Sequence, residues 1–202
     1  RVTFVCNDLR PAELRPIVRA FPRETYDLLL TATFATLKQL AATRWAATPA
    51  VLAVLHTWAR DLSFHPHVHC VVSAGGMTDD DGWLSVKPDF LFHVRPLQRL
   101  FRGKFLDGLK KLRLDLDRTQ RIRLRNSRRK AAIKSWNVYV EPPKGREPAQ
   151  MVKYLARYVY QTAISNSRIL AADEHSVTIR TRGADTLTLT GPGGQTTLQT
   201  TV

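Results

Sequence analysis

Three histidines fall within five residues at His65-Pro66-His67-Val68-His69, inside the run FHPHVHCVVSAGG. Side chains on an extended strand alternate between its two faces, so positions 65, 67 and 69 point the same way. Imidazole nitrogens ligate divalent cations, and three on one face make up most of a metal site. Cys70-Val71-Val72 follows and carries the strand into a core, where an imidazole must be hydrogen-bonded or ligating. The plain alternative is a surface strand end with solvated histidines, and a His-x-His alone favours it. A second motif reverses that balance.

The second motif is AQMVKYLARYVYQTAISNSRI, which has the periodicity of a helix from about Pro148 to Ala163. At about 100° per residue, Tyr158 lies roughly 40° from Tyr154, and Gln161 roughly 20° to the other side. Tyr154, Tyr158 and Gln161 therefore share one stripe, flanked by Lys153 and Arg157. Val152, Leu155 and Val159 occupy the opposite side and suit a core. A tyrosine hydroxyl is a weak nucleophile at neutral pH because its pKa is near 10. Attack on a phosphodiester needs a base or a polarising cation, which the histidine cluster could hold. On its own, a Tyr-x-x-x-Tyr pair is two half-buried aromatics, and Tyr160 reads as structural.

The elements that must position these residues follow from the hydropathy pattern. Arg1 to Asn7 alternates as a first strand, ended by Asp8-Leu9-Arg10-Pro11. Tyr26, Leu29, Leu30, Phe34, Leu37 and Leu40 give a helix from Arg23 to about Ala47. Val51 to Trp58 reads as a strand, and Ala59 to Phe64 turns back into the histidine strand at 65–73. Asp79-Asp80-Asp81-Gly82 is a turn before a short extended piece at Trp83–Val86. Leu97, Leu100, Phe101, Phe105, Leu106, Leu109 and Leu112 form the apolar stripe of a helix starting near Pro96, with a basic opposite face. Asp115 to Lys134 is either a mobile arm or a second helix. Trp136–Val140 is a strand, and Ser176–Thr181 with Thr186–Thr190 forms a hairpin. This order indicates an α+β domain with a central, largely antiparallel sheet. Residues 1–190 are read as one catalytic domain, 95–134 as its basic insertion or arm, and 191–202 as a fraying or truncated tail.

With 202 residues, 44% hydrophobic, the chain can bury a substantial core. No apolar run is long enough to span a membrane, and RVTFVCNDLR has no signal-peptide core. The start without Met suggests an internal fragment or a trimmed chain. Cys6 and Cys70 sit in strand-like segments and read as reduced core thiols of a cytoplasmic protein. Lys and Arg total 31 against 17 acids, a net charge of +14, which points to a polyanionic partner and above all nucleic acid. That charge concentrates between Arg95 and Lys134. Arg102, Lys104, Lys110, Lys111, Arg128, Arg129 and Lys130 are the side chains expected to track a DNA backbone, with Lys153, Arg157, Asn166 and Arg168 near the tyrosines. Trp83, Phe92, Trp136 and Tyr139 could stack on unpaired bases, although core packing is the commoner fate of such aromatics.

HPHVHC, with YLARY about 85 residues later and then AISNSR, resembles the two-tyrosine HUH transposases of rolling-circle insertion sequences, the insertion-sequence-91 group. VLHTWARDLSFHPHVHCVVSAGG, FLFHVRPLQRLFRGKFL and YVEPPKG fit the same family in the same order. The resemblance implies an HUH domain whose central antiparallel sheet carries the histidines and whose adjacent helix carries the tyrosines. It implies that His67 and His69 ligate Mg²⁺ or Mn²⁺. It makes Tyr154 and Tyr158 paired nucleophiles that form 5′-phosphotyrosine links with single-stranded DNA at mobile-element termini. The third ligand stays open between His65, in phase on the strand but beside a Pro that disturbs pleating, and Gln161 on the tyrosine stripe. The family's N-terminal zinc-binding segment has no counterpart here, and Tyr160-Gln161 stands where many relatives have His-Arg.

The resemblance thus implies a metal-dependent nicking and strand-transfer enzyme in a bacterial cytoplasm, nucleoid-associated through DNA binding. Within the superfamily the alternative is a relaxase or rolling-circle replication initiator. Outside it stand a non-enzymatic basic single-strand-binding module and a zinc hydrolase. The latter lacks a carboxylate base on either motif.

Overall fold

Strand alternation with both faces in use decides this architecture. The computed structural model describes residues 2–9, 11–59, 63–86, 91–141, 156, 166–181, 186–190 and 197–199. In chain order these form β1 (Val2–Asp8), a 3-10 turn at Ala12–Leu14, α1 (Arg15–Ala20), α2 (Pro22–Trp45), β2 (Thr48–Trp58) and β3 (Phe64–Met77). Then come β4 (Trp83–Ser85), α3 (Val94–Lys111), α4 (Arg118–Ile133), β5 (Asn137–Glu141) and a 3-10 turn at Asn166–Arg168. Four short strands close the chain: β6 (Ile169–Ala172), β7 (Ser176–Arg180), β8 (Thr186–Thr190) and β9 (Thr197–Gln199).

The chain divides into two compact units, one of Arg1–His56 with His65–Met151, the other of Thr57–Phe64 with Val152–Val202. The first holds a sheet in the order β2-β3-β1-β5, with β4 paired to the far end of β3. β1 is antiparallel to both neighbours, placing Cys6 opposite His69 and Tyr139, and Asp8 opposite His67 and Asn137. Partners across a ladder share a face. Along β3 the even positions Pro66, Val68, Cys70 and Val72 are buried, while His65, His67 and His69 are half-buried. The predicted period of two holds, and the histidine strand runs further than expected because Gly75 and Gly76 extend it. A Cβ at Gly76 would strike the Thr48 carbonyl, and one at Gly75 the Leu84 carbonyl. Glycine there lets β3 pass between β2 and β4.

The opposite face of the sheet meets the helices. Val5, Asn7, Val68, Cys70, Val72 and Val138 line it, and the Asn7 amide donates to Thr33 Oγ1 on α2 at 3.2 Å. The buried stripe of α2 is more polar than its leucines predict. It runs through Thr25, Leu29, Ala32, Thr33, Thr36, Leu37 and Ala41, while Phe34 is exposed. The buried threonines satisfy their hydroxyls within the helix: Thr33 donates to Leu29 O at 2.8 Å and Thr36 to Ala32 O at 2.7 Å. Such threonines are short enough for close packing and leave no polar atom stranded.

α3 buries Leu97, Phe101, Phe105, Leu106 and Leu109, as its periodicity predicts. The 115–134 stretch resolves as helix rather than arm, because Asp117 and Gln120 cap it reciprocally. Gln120 N donates to Asp117 Oδ1 at 2.7 Å and Asp117 N to Gln120 Oε1 at 2.9 Å. Trp136 is fully buried beneath both helices. Its ring centroid lies 5.5 Å from Phe101 and 5.6 Å from Phe105, and its Nε1 donates to Ala131 O at 3.0 Å.

The second unit contains a four-stranded antiparallel sheet in the order β6-β7-β8-β9. Its β7–β8 pairing matches the expected hairpin. β9 adds a strand in the stretch expected to fray, with Thr188 paired to Thr197. No helix among the described residues is long and apolar enough to cross a membrane.

Trp136 joins α3, α4 and β5, so its truncation should be among the costliest in the first unit. Trp136→Ala is expected to lose about 3–5 kcal/mol by denaturant unfolding, and Trp136→Phe clearly less. Equal losses would mean that ring packing is not what Trp136 contributes.

Candidate metal centre

The site begins with register. β2 and β3 are neighbours, and the Ala50 N–Ser73 Oγ hydrogen bond at 3.0 Å holds the start of β2 against the end of β3. Running back along the pair brings His56 of β2 beside His67 and His69 of β3. One nitrogen from each of the three rings lies within 4.8 Å of the others. The ring centroids stand 5.3 Å apart for His56–His67 and 4.8 Å for both His56–His69 and His67–His69. Metal–imidazole bonds of about 2.0–2.1 Å in tetrahedral or octahedral geometry put neighbouring ligand nitrogens about 3.0–3.4 Å apart. Ring rotations that close the widest gap by about 1.5–2 Å would complete the set, so the three residues fit a divalent ion.

The protonation states suit ligation as well. His67 Nδ1 lies 2.7 Å from the His65 carbonyl. A carbonyl only accepts, so the proton sits on Nδ1 and Nε2 keeps its lone pair for a cation. Burial pushes His67 below the usual imidazole range, partly opposed by that hydrogen bond and reinforced by His56 and His65. Burial pushes His69 down to about 3, with His67 and His56 adding to the effect. Both rings are therefore neutral at physiological pH, which is the ligand form.

His65 is engaged elsewhere. Its Nε2 stands 3.0 Å from Asp8 Oδ1, on a carboxylate that is nearly buried. Although in phase with His67 and His69, it does not join their cluster. Asp8 reaches it because the β1–β3 register puts Asp8 opposite His67. Cys6, opposite His69 on the same face, is not among the clustered ligand atoms. Burial, aided by Asp8, pushes its thiol up to about 12, and burial does the same to Cys70.

The other candidates divide by position. Tyr154, Tyr158, Gln161, Lys153 and Arg157 lie outside the described residues. Arg102, Lys110, Arg128 and Arg129 converge on one cleft between α3 and α4. Lys104 and Lys111 lie elsewhere on α3, and Lys130 lines a second cleft beside Glu13. In the second unit Asn166 opens a 3-10 turn, and Arg168 Nε donates to Arg180 O at 2.7 Å. Of the aromatics, Phe92 and Trp136 are core, whereas Trp83 and Tyr139 are more than half exposed. Tyr139 shares the histidine face through its pairing with Cys6.

Sequence reasoning missed His56 and Asp8. The signal for His56 was its place on the strand expected to turn back into the histidine strand, but which face it takes is set by the β2–β3 register, which local sequence does not fix. Asp8 read only as a strand breaker.

Residues 50–200 match the family described as "Putative transposase" (Y2_Tnp). Over 170 residues the chain is 38% identical to "Putative transposase y4qJ" of Sinorhizobium fredii, covering 77% of this chain and 42% of that protein. Over 137 residues it is 30% identical to "Transposase for insertion sequence element IS801" of Pseudomonas savastanoi pv. phaseolicola, covering 64% and 32%. The chain thus spans less than half the length of either relative. Among solved structures it is similar to the conjugative relaxase TrwC in complex with mutant OriT DNA, at 15% identity and a TM-score of 0.40 over 78% of this chain and 74% of that one.

Because the folded protein binds fewer protons at His67 and His69 than the unfolded chain, stability should rise with pH across this window. It is fully present above about pH 6.5 and lost as pH falls toward about 3. Denaturant midpoints of the metal-free protein should therefore drop steadily over that range. The drop should be shallower in His69→Gln. Equal slopes in the two proteins would contradict the depressed imidazole.

Proposed function

The chain belongs to the two-tyrosine HUH transposase family, and we propose that it is the catalytic segment of an enzyme that nicks and joins single-stranded DNA in rolling-circle transposition. The observation that carries this reading is the meeting of His56, His67 and His69 on one sheet face. We assign His56 as the third ligand in preference to His65 and Gln161. A divalent ion there supplies charge neutralisation on a scissile phosphate, and Mn²⁺ suits three imidazoles better than Mg²⁺, which favours oxygen.

The chain's own residues do the rest. Tyr154 or Tyr158 attacks the phosphorus in line; its hydroxyl proton departs, a tyrosine O–P bond forms and the P–O3′ bond breaks. A 5′-phosphotyrosine and a free 3′-OH result. One phosphoester replaces another, so no nucleotide hydrolysis is required. The second tyrosine repeats the step on another strand, and the released 3′-OH then attacks the first phosphotyrosine to join the ends. His67 is held in its ligating tautomer by the His65 carbonyl, and His65 in turn by Asp8. Asp8 and His65 are thus positioning residues. The exposed ring of Tyr139, on the same face, is suited to stacking an unpaired base.

Incubation with a single-stranded oligonucleotide of an element terminus and Mn²⁺ should give a covalent adduct resistant to denaturing electrophoresis. Tyr154→Phe with Tyr158→Phe should abolish it. His56→Ala should weaken Mn²⁺ binding about 10–100-fold or more, as should His67→Ala and His69→Ala, with His65→Ala milder. An adduct surviving the double tyrosine change, or normal Mn²⁺ affinity in His56→Ala, would refute these assignments.

Single-strand affinity should separately fall by about 1–3 kcal/mol in Tyr139→Ala, measured by fluorescence anisotropy in chelator. Unchanged affinity would remove Tyr139 from the binding face.

A further inference from the structure

The cleft between α3 and α4, about 660 Å³ in volume, is lined by Arg99, Arg102, Lys110, Arg125, Arg128 and Arg129, with Asp107 as the one acid among its described residues. The two helices present these residues at helical spacings: 99, 102, 106 and 110 on α3, and 125, 128, 129 and 132 on α4. Each set therefore forms a continuous stripe facing the cleft. The α3 stripe extends over roughly 16 Å at 1.5 Å per residue. Six cations with one acid on facing stripes concentrate positive potential in the cleft, which favours a polyanion there.

Two features show that the cleft is built rather than accidental. First, its central arginines are anchored by backbone. Arg128 Nε donates to Leu106 O at 3.1 Å, and Arg102 Nη1 donates to Lys134 O at 3.2 Å. A guanidinium carries five N–H donors, so each anchored arginine keeps several for a ligand at little further entropic cost. Second, Gly103 lies on the cleft wall in the interior of α3. A Cβ at that position would meet nothing within 4 Å. Packing does not demand glycine there, although helix propensity disfavours it. Gly108 of the same helix differs, because a Cβ there would run into Leu28. At Gly103 the missing side chain leaves that part of the cleft wall bare for close approach of a ligand.

We propose that this cleft is a second DNA site, distinct from the histidine centre, which grips the phosphate backbone of duplex DNA. Its described lining has no aromatic side chain and no amide, so it lacks an aromatic stacking platform and an Asn or Gln to read adenine, and its arginines are left to meet phosphate oxygens. Preset guanidinium groups on two rigid helices suit a backbone whose phosphates are already regularly placed. The site would hold the double-stranded flank of a nicking site and does not depend on metal.

The test measures binding of a labelled duplex of arbitrary sequence and of its single strand, both in EDTA, across a salt series. Substitutions in the cleft should weaken duplex binding more than single-strand binding. Arg99→Gln combined with Arg125→Gln and Arg129→Gln leaves the anchored arginines in place. Its duplex affinity should fall roughly tenfold or more, and its log–log salt slope should become shallower by about 0.9 for each phosphate no longer neutralised. Gly103→Ala should raise the melting temperature, whereas Gly103→Glu should fold and bind duplex at least as poorly as the triple variant. An unchanged salt slope in the triple variant, full duplex binding by Gly103→Glu, or a loss of single-strand binding in the triple variant as large as its loss of duplex binding would overturn the proposal. Because chelator is present throughout, these outcomes are independent of whether the histidine centre holds metal.

Discussion

Everything at the histidine centre depends on β3 being held from both sides in one register. Val68, Cys70 and Val72 are locked into the core, so His65, His67 and His69 have no choice of face. A slip of one residue would send the histidines into the helices and the apolar set into solvent, which the buried face forbids. β1 and β2 then deliver their own residues to that face at fixed places: Asp8 beside His65, and His56 beside the other two imidazoles. The three-ring cluster is therefore a consequence of ladder geometry, with the hydrophobic face as its guarantor.

The same burial that fixes the rings sets their chemistry. Imidazoles withdrawn from water and crowded against one another resist protonation, and a neutral ring is what a cation needs. His67 and His69 thus add no charge of their own, and neither would cancel the charge of a bound divalent ion. Around it the division of labour among polar groups is clear. His65 orders His67 through its main-chain carbonyl while its own ring is tied to Asp8. The nearby thiol of Cys6 stays protonated and apart. Away from the sheet, basic residues gather on α3 and α4, where Arg102 and Arg128 are each anchored to a backbone carbonyl.

How much of this was legible in the sequence follows the range of the interactions concerned. Local signals read well: the 3.6-residue stripe of α3, the alternation of β3, and the terminal hairpin all appear where periodicity places them. α4 was ambiguous because its composition is dominated by Arg and its apolar stripe is thin. The Asp117–Gln120 capping box was the decisive cue and was available in DRTQ. α2 buries threonines where leucines were favoured, since hydroxyls bonded to their own helix cost little in a core. The third imidazole was the hardest to see. His65 and His67 are equivalent by strand phase, and only pairing with β1 and β2 tells them apart. Phase within a strand is written in sequence; the partner strand's register is a tertiary fact.

The central claim is that His56, His67 and His69 together hold one divalent cation. Crystals soaked in Mn²⁺ and measured at the manganese absorption edge test it directly. One anomalous peak is expected within about 2.2 Å of a nitrogen on each of the three rings. A peak between His65 and Asp8, or no peak at the three imidazoles at saturating Mn²⁺, would contradict it.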